Sequence, residues 1–218
     1  MSHMVKVYNS TIGQKILVAL TGLFLCSFLI VHLSGNMLLF KDDGGAAFDH
    51  YSEFMSTNFA IRTMEIGLFA GFILHMLFGL RTWLHNRSSR PERYKANRPQ
   101  ENSTFASRWM FFNGSVVFIF LVVHLNSFFV PARFDISKPS MYELVKTAFA
   151  SPLYGAFYLV ALILLGYHLR QGFQSAFQTF GLRPAWLKPI EWISAIFWLI
   201  IPLGFATMPI YFYYMGGN

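Results

Sequence analysis

Five long apolar runs, near residues 16–40, 64–84, 109–130, 153–178 and 192–214, dominate the sequence. Each is close to the ~20 residues that a helix needs to cross the hydrocarbon core of a bilayer. None alternates in the manner of a strand. Backbone polar groups in lipid must be satisfied within each span, so all five read as helices. The fourth run meets Arg170 soon after its most apolar part, and its helix is expected to continue to about Gln178 with Arg170 facing protein or a polar group of a ligand. The first run is longer than the apolar region of a signal peptide and is followed by no small-residue cleavage site, so it is expected to stay in the mature chain. The expected fold is an all-α integral membrane protein: one domain over residues 1–218, with five transmembrane helices.

Composition agrees. Hydrophobic residues make up 55% of the chain and charged residues 12%, about half the ~25% usual in a soluble domain. The net charge of +7 would suit a nucleic-acid binder, but its distribution speaks for topology instead. With the N-terminus inside, the inner segments hold 12 Lys and Arg and the outer segments hold 5. That is the asymmetry of the positive-inside rule, so the N-terminus is expected in the cytoplasm. The basic inner face then suits anionic lipid or an acidic protein partner, and no nucleic acid is expected. Cys26 lies alone inside the first apolar run and can form no internal disulfide. The outer segments, 41–58 and 131–151, are long enough for short interfacial helices and contain no nucleotide, zinc or hydrolase motif. Any chemistry lies in the membrane.

Four of the seven histidines fall inside the apolar runs, one on each of the first four: His32, His75, His124 and His168. Ionisable groups in membrane helices are costly and point to function. His3, His50 and His85 lie outside the spans or at their edges and read as solvated. Depth groups the four into pairs. His32 and His124 each precede an outer basic residue, Lys41 and Arg133, by nine positions, or roughly 13 Å of helix. His75 and His168 precede the inner Arg81 and Arg170 by six and two positions. His32 with His124 therefore forms an outer layer, and His75 with His168 an inner one.

The same residues mark a repeat. His32 and His124 are 92 positions apart, and His75 and His168 are 93 apart. Leu29-Ile30-Val31-His32-Leu33 matches Leu121-Val122-Val123-His124-Leu125, and Gly79 and Gly172 each follow the inner histidines by four. Those glycines either admit a flat macrocycle close to the backbone or serve helix–helix packing. Two imidazoles at one level suit the two axial positions of a haem iron, and two such levels make an electron path across the bilayer. Two histidines with no carboxylate or cysteine nearby are a poor cage for a bare transition metal. A proton relay would not explain the pairing by depth.

Several motifs bear a family resemblance. Thr11-Ile12-Gly13-Gln14-Lys15, Thr21-Gly22-Leu23-Phe24-Leu25 and Val31-His32-Leu33-Ser34-Gly35-Asn36 resemble the first helix of cytochrome b membrane-anchor subunits of succinate dehydrogenases and fumarate reductases, in their five-helix, two-haem form. Ser107-Arg108-Trp109-Met110 and the stretch from His168 to Gln178 are also similar to that family. The resemblance implies two haem b groups, membrane quinone (menaquinone) as substrate, and a flavoprotein and an iron–sulfur subunit docked on the inner face. It also implies that this chain does not itself handle the dicarboxylate, since it has no flavin fingerprint and no cysteine set for iron–sulfur clusters. Where some relatives carry an acidic residue two positions before the ligand matching His168, this chain has Gly166, and positions of other relatives' polar residues in the first helix are Val18 and Ala19. Another dihaem cytochrome b, of the b561-like or dehydrogenase-anchor kind, and a haem-free transporter with a histidine relay are the competing readings. The expected location is the bacterial cytoplasmic membrane.

Three charged residues complete the expected site. Glu65, three positions after Arg62, is either a proton acceptor for quinol or a solvated carboxylate at the membrane edge. Arg81 and Arg170 stand on the inner side of the inner histidines, where a guanidinium either pairs with a haem propionate or snorkels to lipid phosphate.

Overall fold

A computed structural model describes residues 10–88, 105–135, 139–182 and 184–215. Its helices in chain order are α1 (Thr11–Asn36), α2 (Ala46–Thr57), α3 (Phe59–Ser88), α4 (Phe105–His124), α5 (Val130–Phe134), α6 (Met141–Ala150), α7 (Pro152–Thr179), α8 (Pro184–Ala195) and α9 (Ile201–Tyr214). A 3₁₀ turn, Met37–Phe40, extends α1, and π-helical turns Leu125–Phe129 and Ile196–Ile200 join α4 to α5 and α8 to α9. No strand occurs among the described residues. Five helical stretches are long and apolar enough to cross a membrane: Ile12–Phe40, Phe59–Ser88, Trp109–Phe134, Pro152–Thr179 and Pro189–Tyr214.

Local sequence explains the helix ends. Ser10 and Ser140 accept hydrogen bonds from the backbone N–H groups of Gly13 and Glu143, at 3.0 and 3.2 Å. Asn58 caps α3 by accepting from Ala60 and Ile61, and Ser151 precedes Pro152 at the first position of α7. These are the residue types that satisfy the orphan donors of a first turn. Gly45 enters α2 with φ of +90°, a left-handed conformation that favours glycine.

Both π turns have one cause. Each is followed directly by an Xaa-Pro pair, Val130-Pro131 and Ile201-Pro202. Proline lacks the N–H that would close the preceding turn, and its ring presses on that turn's carbonyl, so the helix widens without ending.

The spans differ from the sequence expectation mainly at their edges. α3 starts five residues before and ends four residues after the expected 64–84, because Asn58 caps it early and its polar ends still continue the helix. α7 extends through Arg170 to Thr179 as one helix, as its sequence suggests. The outer segments do fold into short helices, α2 and α6, and the backbone N–H of Tyr142 donates to Asp49 Oδ1 across them at 2.9 Å. His3 and most of the basic loop between the second and third spans lie outside the described residues.

α7 is the helix around which the others pack. It contacts α1, α4, α6 and α9, while α1 also packs on α3. Gly155, Tyr158, Leu162, Gly166, Leu169, Phe173 and Ala176 are buried along it, at the three- and four-residue spacing that keeps one stripe facing its neighbours. The small residues let backbones approach: a Cβ on Gly166 would stand 2.7 Å from the Trp198 carbonyl oxygen of the last span. At the end of the bundle that holds α2 and α6, Leu39, Phe48, Val145, Phe149, Tyr158, Met208 and Phe212 form the main core cluster. Cys26 is a buried free thiol in the second cluster, with Leu169 and Phe173. By contrast Leu20, Phe24, Ile73, Leu77, Phe112, Ile119, Val160 and Ile163 are exposed. An apolar exterior of that extent is what lipid, and not water, would cover.

Candidate functional site

Each of the four intramembrane histidines faces another one. The rings of His32 (α1) and His124 (α4) have centroids 5.7 Å apart with planes at 85°. Those of His75 (α3) and His168 (α7) are 6.3 Å apart at 81°. All four side chains are half-buried. Because α1 and α4 run one way and α3 and α7 the other, the two pairs occupy different levels of the bundle.

These separations have a chemical meaning. A metal–imidazole bond is about 2 Å long and the ring centre lies about 1 Å beyond the nitrogen, so two imidazoles on opposite sides of one metal have centres about 6 Å apart. Among the described residues no group of three or more His, Cys, Asp or Glu side chains could hold a metal ion. Two nitrogens at a time suit a metal whose remaining ligands come from a macrocycle.

The surroundings of each histidine differ. Thr21 Oγ1 lies 3.2 Å from His75 Nδ1 and donates its own proton to the Leu17 carbonyl at 2.7 Å. With its proton so committed, Thr21 offers His75 a lone pair. This favours the tautomer with the proton on Nδ1 and Nε2 free to bind a metal. His124 Nδ1 is 3.1 Å from the Tyr158 hydroxyl, which is linked in turn to Tyr154 at 3.0 Å. His32 Nδ1 has only a long contact, 3.4 Å, to Asn36 Nδ2, whose firmer bond is to the His32 carbonyl at 2.8 Å. Phe28, Phe205, Phe120 and Phe128 close around the outer pair. His168 Nδ1 is buried and has no hydrogen-bond partner among the described residues.

Glycines shape both levels. A Cβ on Gly22 would stand 3.1 Å from His75 Cε1, and one on Gly114 would stand 3.3 Å from His168 Cε1. Gly79 and Gly172 are different: a Cβ on either meets nothing within 4 Å. Among the described residues this leaves open space one turn from His75 and from His168.

Toward the N-terminus of α1 and the C-terminus of α3, beyond His75, polar side chains are buried. Gln14 lies seven residues before Thr21 on α1 and Thr82 seven after His75 on α3, about 10 Å along each helix and on the same faces. Gln14 Oε1 and Thr82 Oγ1 are buried without a hydrogen-bond partner among the described residues. Buried polar atoms in a native fold nearly always have partners, so such atoms point to something that completes them.

The charged candidates divide. Glu65 is held by two arginines: Arg62 Nη1 at 3.2 and 3.3 Å and Arg133 Nη2 at 2.6 Å. Arg133 also donates to the Ser56 carbonyl and lies over Phe129, so the cluster ties α2, α3 and the end of the third span together. Arg170 reaches Glu191 at 3.8 Å and lies over the Trp198 ring, 5.2 Å from its centroid. Arg81 and the edge histidines His50 and His85 are exposed.

Thr21, Tyr158, Asn113, Gln14 and Thr82 did not stand out as polar residues in apolar runs. A signal for two of them existed in the repeat. Thr21-Gly22 and Asn113-Gly114 are 92 positions apart, the spacing of His32 and His124. Comparison with protein-family models, curated proteins and solved structures finds no match for the chain.

Proposed function

We propose that this protein is the dihaem cytochrome b membrane-anchor subunit of a succinate:quinone oxidoreductase, passing electrons between an iron–sulfur subunit and membrane quinone. The observation that carries the reading is the set of two facing histidine pairs at two levels, with ring centroids 5.7 and 6.3 Å apart. The resemblance in α1, at the start of the third span and in the second half of α7 narrows it to the succinate dehydrogenase and fumarate reductase anchors. The open space at Gly79 and Gly172 and the unsatisfied polar atoms at Gln14 and Thr82 fit a flat group with a polar edge.

When bound, haem with two histidine ligands exchanges single electrons at iron and leaves no open site for oxygen. His32 and His124 would hold one haem b, and His75 and His168 the other. Thr21 keeps His75 in the tautomer that can ligate. Arg170 and Arg81, both on the inner side of their histidines, would balance propionate charge, with Gln14 and Thr82 supplying polar contacts at that level. The phenylalanines around the outer pair exclude water.

Glu65 is the candidate proton acceptor for menaquinol at the outer side. Its oxygens are engaged by Arg62 and Arg133, so taking a proton requires one of those contacts to loosen. The catalytic chemistry on the dicarboxylate belongs to the flavoprotein subunit, which would dock with the iron–sulfur subunit on the basic inner face. The multi-pass chain would sit in a bacterial cytoplasmic membrane with its N-terminus inside.

The test is purification of the chain from its native membrane, followed by a reduced-minus-oxidised spectrum and identification of bound proteins. The reading expects a b-type haem spectrum and co-purification of a flavoprotein and an iron–sulfur protein. A haem spectrum with other partners makes it a different dihaem cytochrome, and a featureless spectrum removes haem altogether.

A further inference from the structure

Thr21 and His75 form a contact whose counterpart in the second half of the chain is incomplete. Thr21-Gly22 on α1 aligns with Asn113-Gly114 on α4 at an offset of 92, while His75 on α3 aligns with His168 on α7 at 93. The backbone geometry agrees with this alignment. A Cβ on Gly22 would lie 3.1 Å from His75 Cε1 and 3.5 Å from its Nδ1, and one on Gly114 would lie 3.3 and 3.6 Å from the same atoms of His168. The residue preceding each glycine therefore occupies the same place beside its histidine. In the first half that residue is Thr21, at 3.2 Å from Nδ1. In the second half it is Asn113.

Two buried atoms at this second place lack partners among the described residues: Asn113 Oδ1 and His168 Nδ1. They are chemically complementary, since an amide oxygen accepts and a protonated Nδ1 donates. A buried acceptor and a buried donor left unpaired at one place are each costly, and pairing them satisfies both.

We propose that Asn113 is the positioning residue for His168: its Oδ1 accepts the Nδ1 proton, holds the ring in the tautomer with a free Nε2, and makes that nitrogen a stronger metal ligand, as Thr21 does for His75. This rests on the reading of His75 and His168 as one haem's ligand pair. An acceptor on the distal nitrogen raises the basicity of a ligating imidazole. The more basic ligand favours ferric iron, so loss of the acceptor raises the reduction potential.

The experiment compares Asn113→Val with Asn113→Thr in the haem-loaded complex, two nearly isosteric variants that differ in the acceptor. Redox titration with optical detection reads the two haems separately. Asn113→Val should raise the potential of the His75–His168 haem by about 59 mV, the value for a tenfold change in a one-electron equilibrium. Asn113→Thr should leave it near the wild-type value, and the His32–His124 haem should not move in either variant. Equal potentials in the two variants, or a shift confined to the other haem, would overturn the proposal.

A second readout needs no haem. Nitrogen-15 NMR of histidine-labelled chain should show His168 protonated at Nδ1 in the wild type and in Asn113→Thr, with a changed Nδ1 signal in Asn113→Val. An identical signal in all three overturns the proposal. A wild-type chain that carries no haem but shows the Asn113-dependent signal defeats the haem reading and leaves the Asn113–His168 contact standing.

Discussion

The ring of His32 stands edge-on to the ring of His124, with centroids 5.7 Å apart, although 92 residues separate them in the chain. The same relation links His75 to His168 at 6.3 Å. Two such contacts at two levels, inside helices that are otherwise apolar, are hard to explain as packing. Half-buried imidazoles gain little from lipid, and four of them would be replaced by leucine at a gain in stability if they did nothing.

Gly79 and Gly172 separate a macrocycle from plain helix surface. Neither has a protein neighbour that a methyl group would strike. If they are only surface, alanine should stabilise each helix by roughly 0.5–1 kcal/mol and change nothing else. The expected result is the opposite for cofactor retention: Gly79→Ala and Gly172→Ala should release haem at lower temperature than wild type, measured by loss of the b-type absorption on heating. Unchanged retention with a more stable chain would assign these glycines to the helix surface alone.

Gly22 and Gly114 make a paired prediction. Alanine at either would press on His75 or His168, at 3.1 and 3.3 Å from Cε1, and overpacking of this kind costs about 1–3 kcal/mol. Both substitutions should disturb one and the same haem spectrum. If Gly22→Ala and Gly114→Ala disturb different haems, the alignment of the two halves is wrong.

Glu65→Gln tests the quinone side. A general base contributes about 10²–10⁴ in rate, so quinone turnover should fall at least about tenfold while both haem spectra persist. Arg133, which is 19% exposed and bonded to Glu65 at 2.6 Å, keeps a neutral acceptor in the variant, so folding should survive. Turnover at the wild-type rate would leave Glu65 a structural tie between α3 and the end of the third span.

Arg170 offers an electrostatic test. It lies two residues beyond His168, partly exposed, with Glu191 at 3.8 Å. Removing a cation near the iron favours the ferric state, so Arg170→Gln should lower the potential of the His75–His168 haem and leave the other unchanged. No shift in that haem, or an equal effect on both, would remove Arg170 from the surroundings of the His75–His168 haem and leave it a partner of Glu191 and Trp198.

Much of this was legible in the sequence. The apolar runs gave the five spans, and counting from each histidine to the nearest charged boundary grouped the rings that meet in space. What escaped was whatever depends on a neighbour in three dimensions. Thr21 is a small polar residue in a long apolar helix, and only the approach of α3 turns it into an acceptor for His75. Tyr158 reads as an ordinary aromatic of α7 until His124 is placed 3.1 Å from its hydroxyl. The widened turns before Pro131 and Pro202 were not read from the sequence, because the apolar runs mark where a helix lies and not how its turns are wound. The sequence placed Glu65 three residues after Arg62, but its second partner, Arg133, is 68 residues away and shows only in space.

The central claim is that the four histidines bind two haems in the pairs His32–His124 and His75–His168, and haem content per chain in single histidine variants tests it most directly. The wild type should hold two b-type haems. His32→Leu and His124→Leu should each lose the same haem and keep the other, and His75→Leu and His168→Leu should each lose the second. A wild-type chain without haem, or a common loss in His124→Leu and His75→Leu, would contradict it.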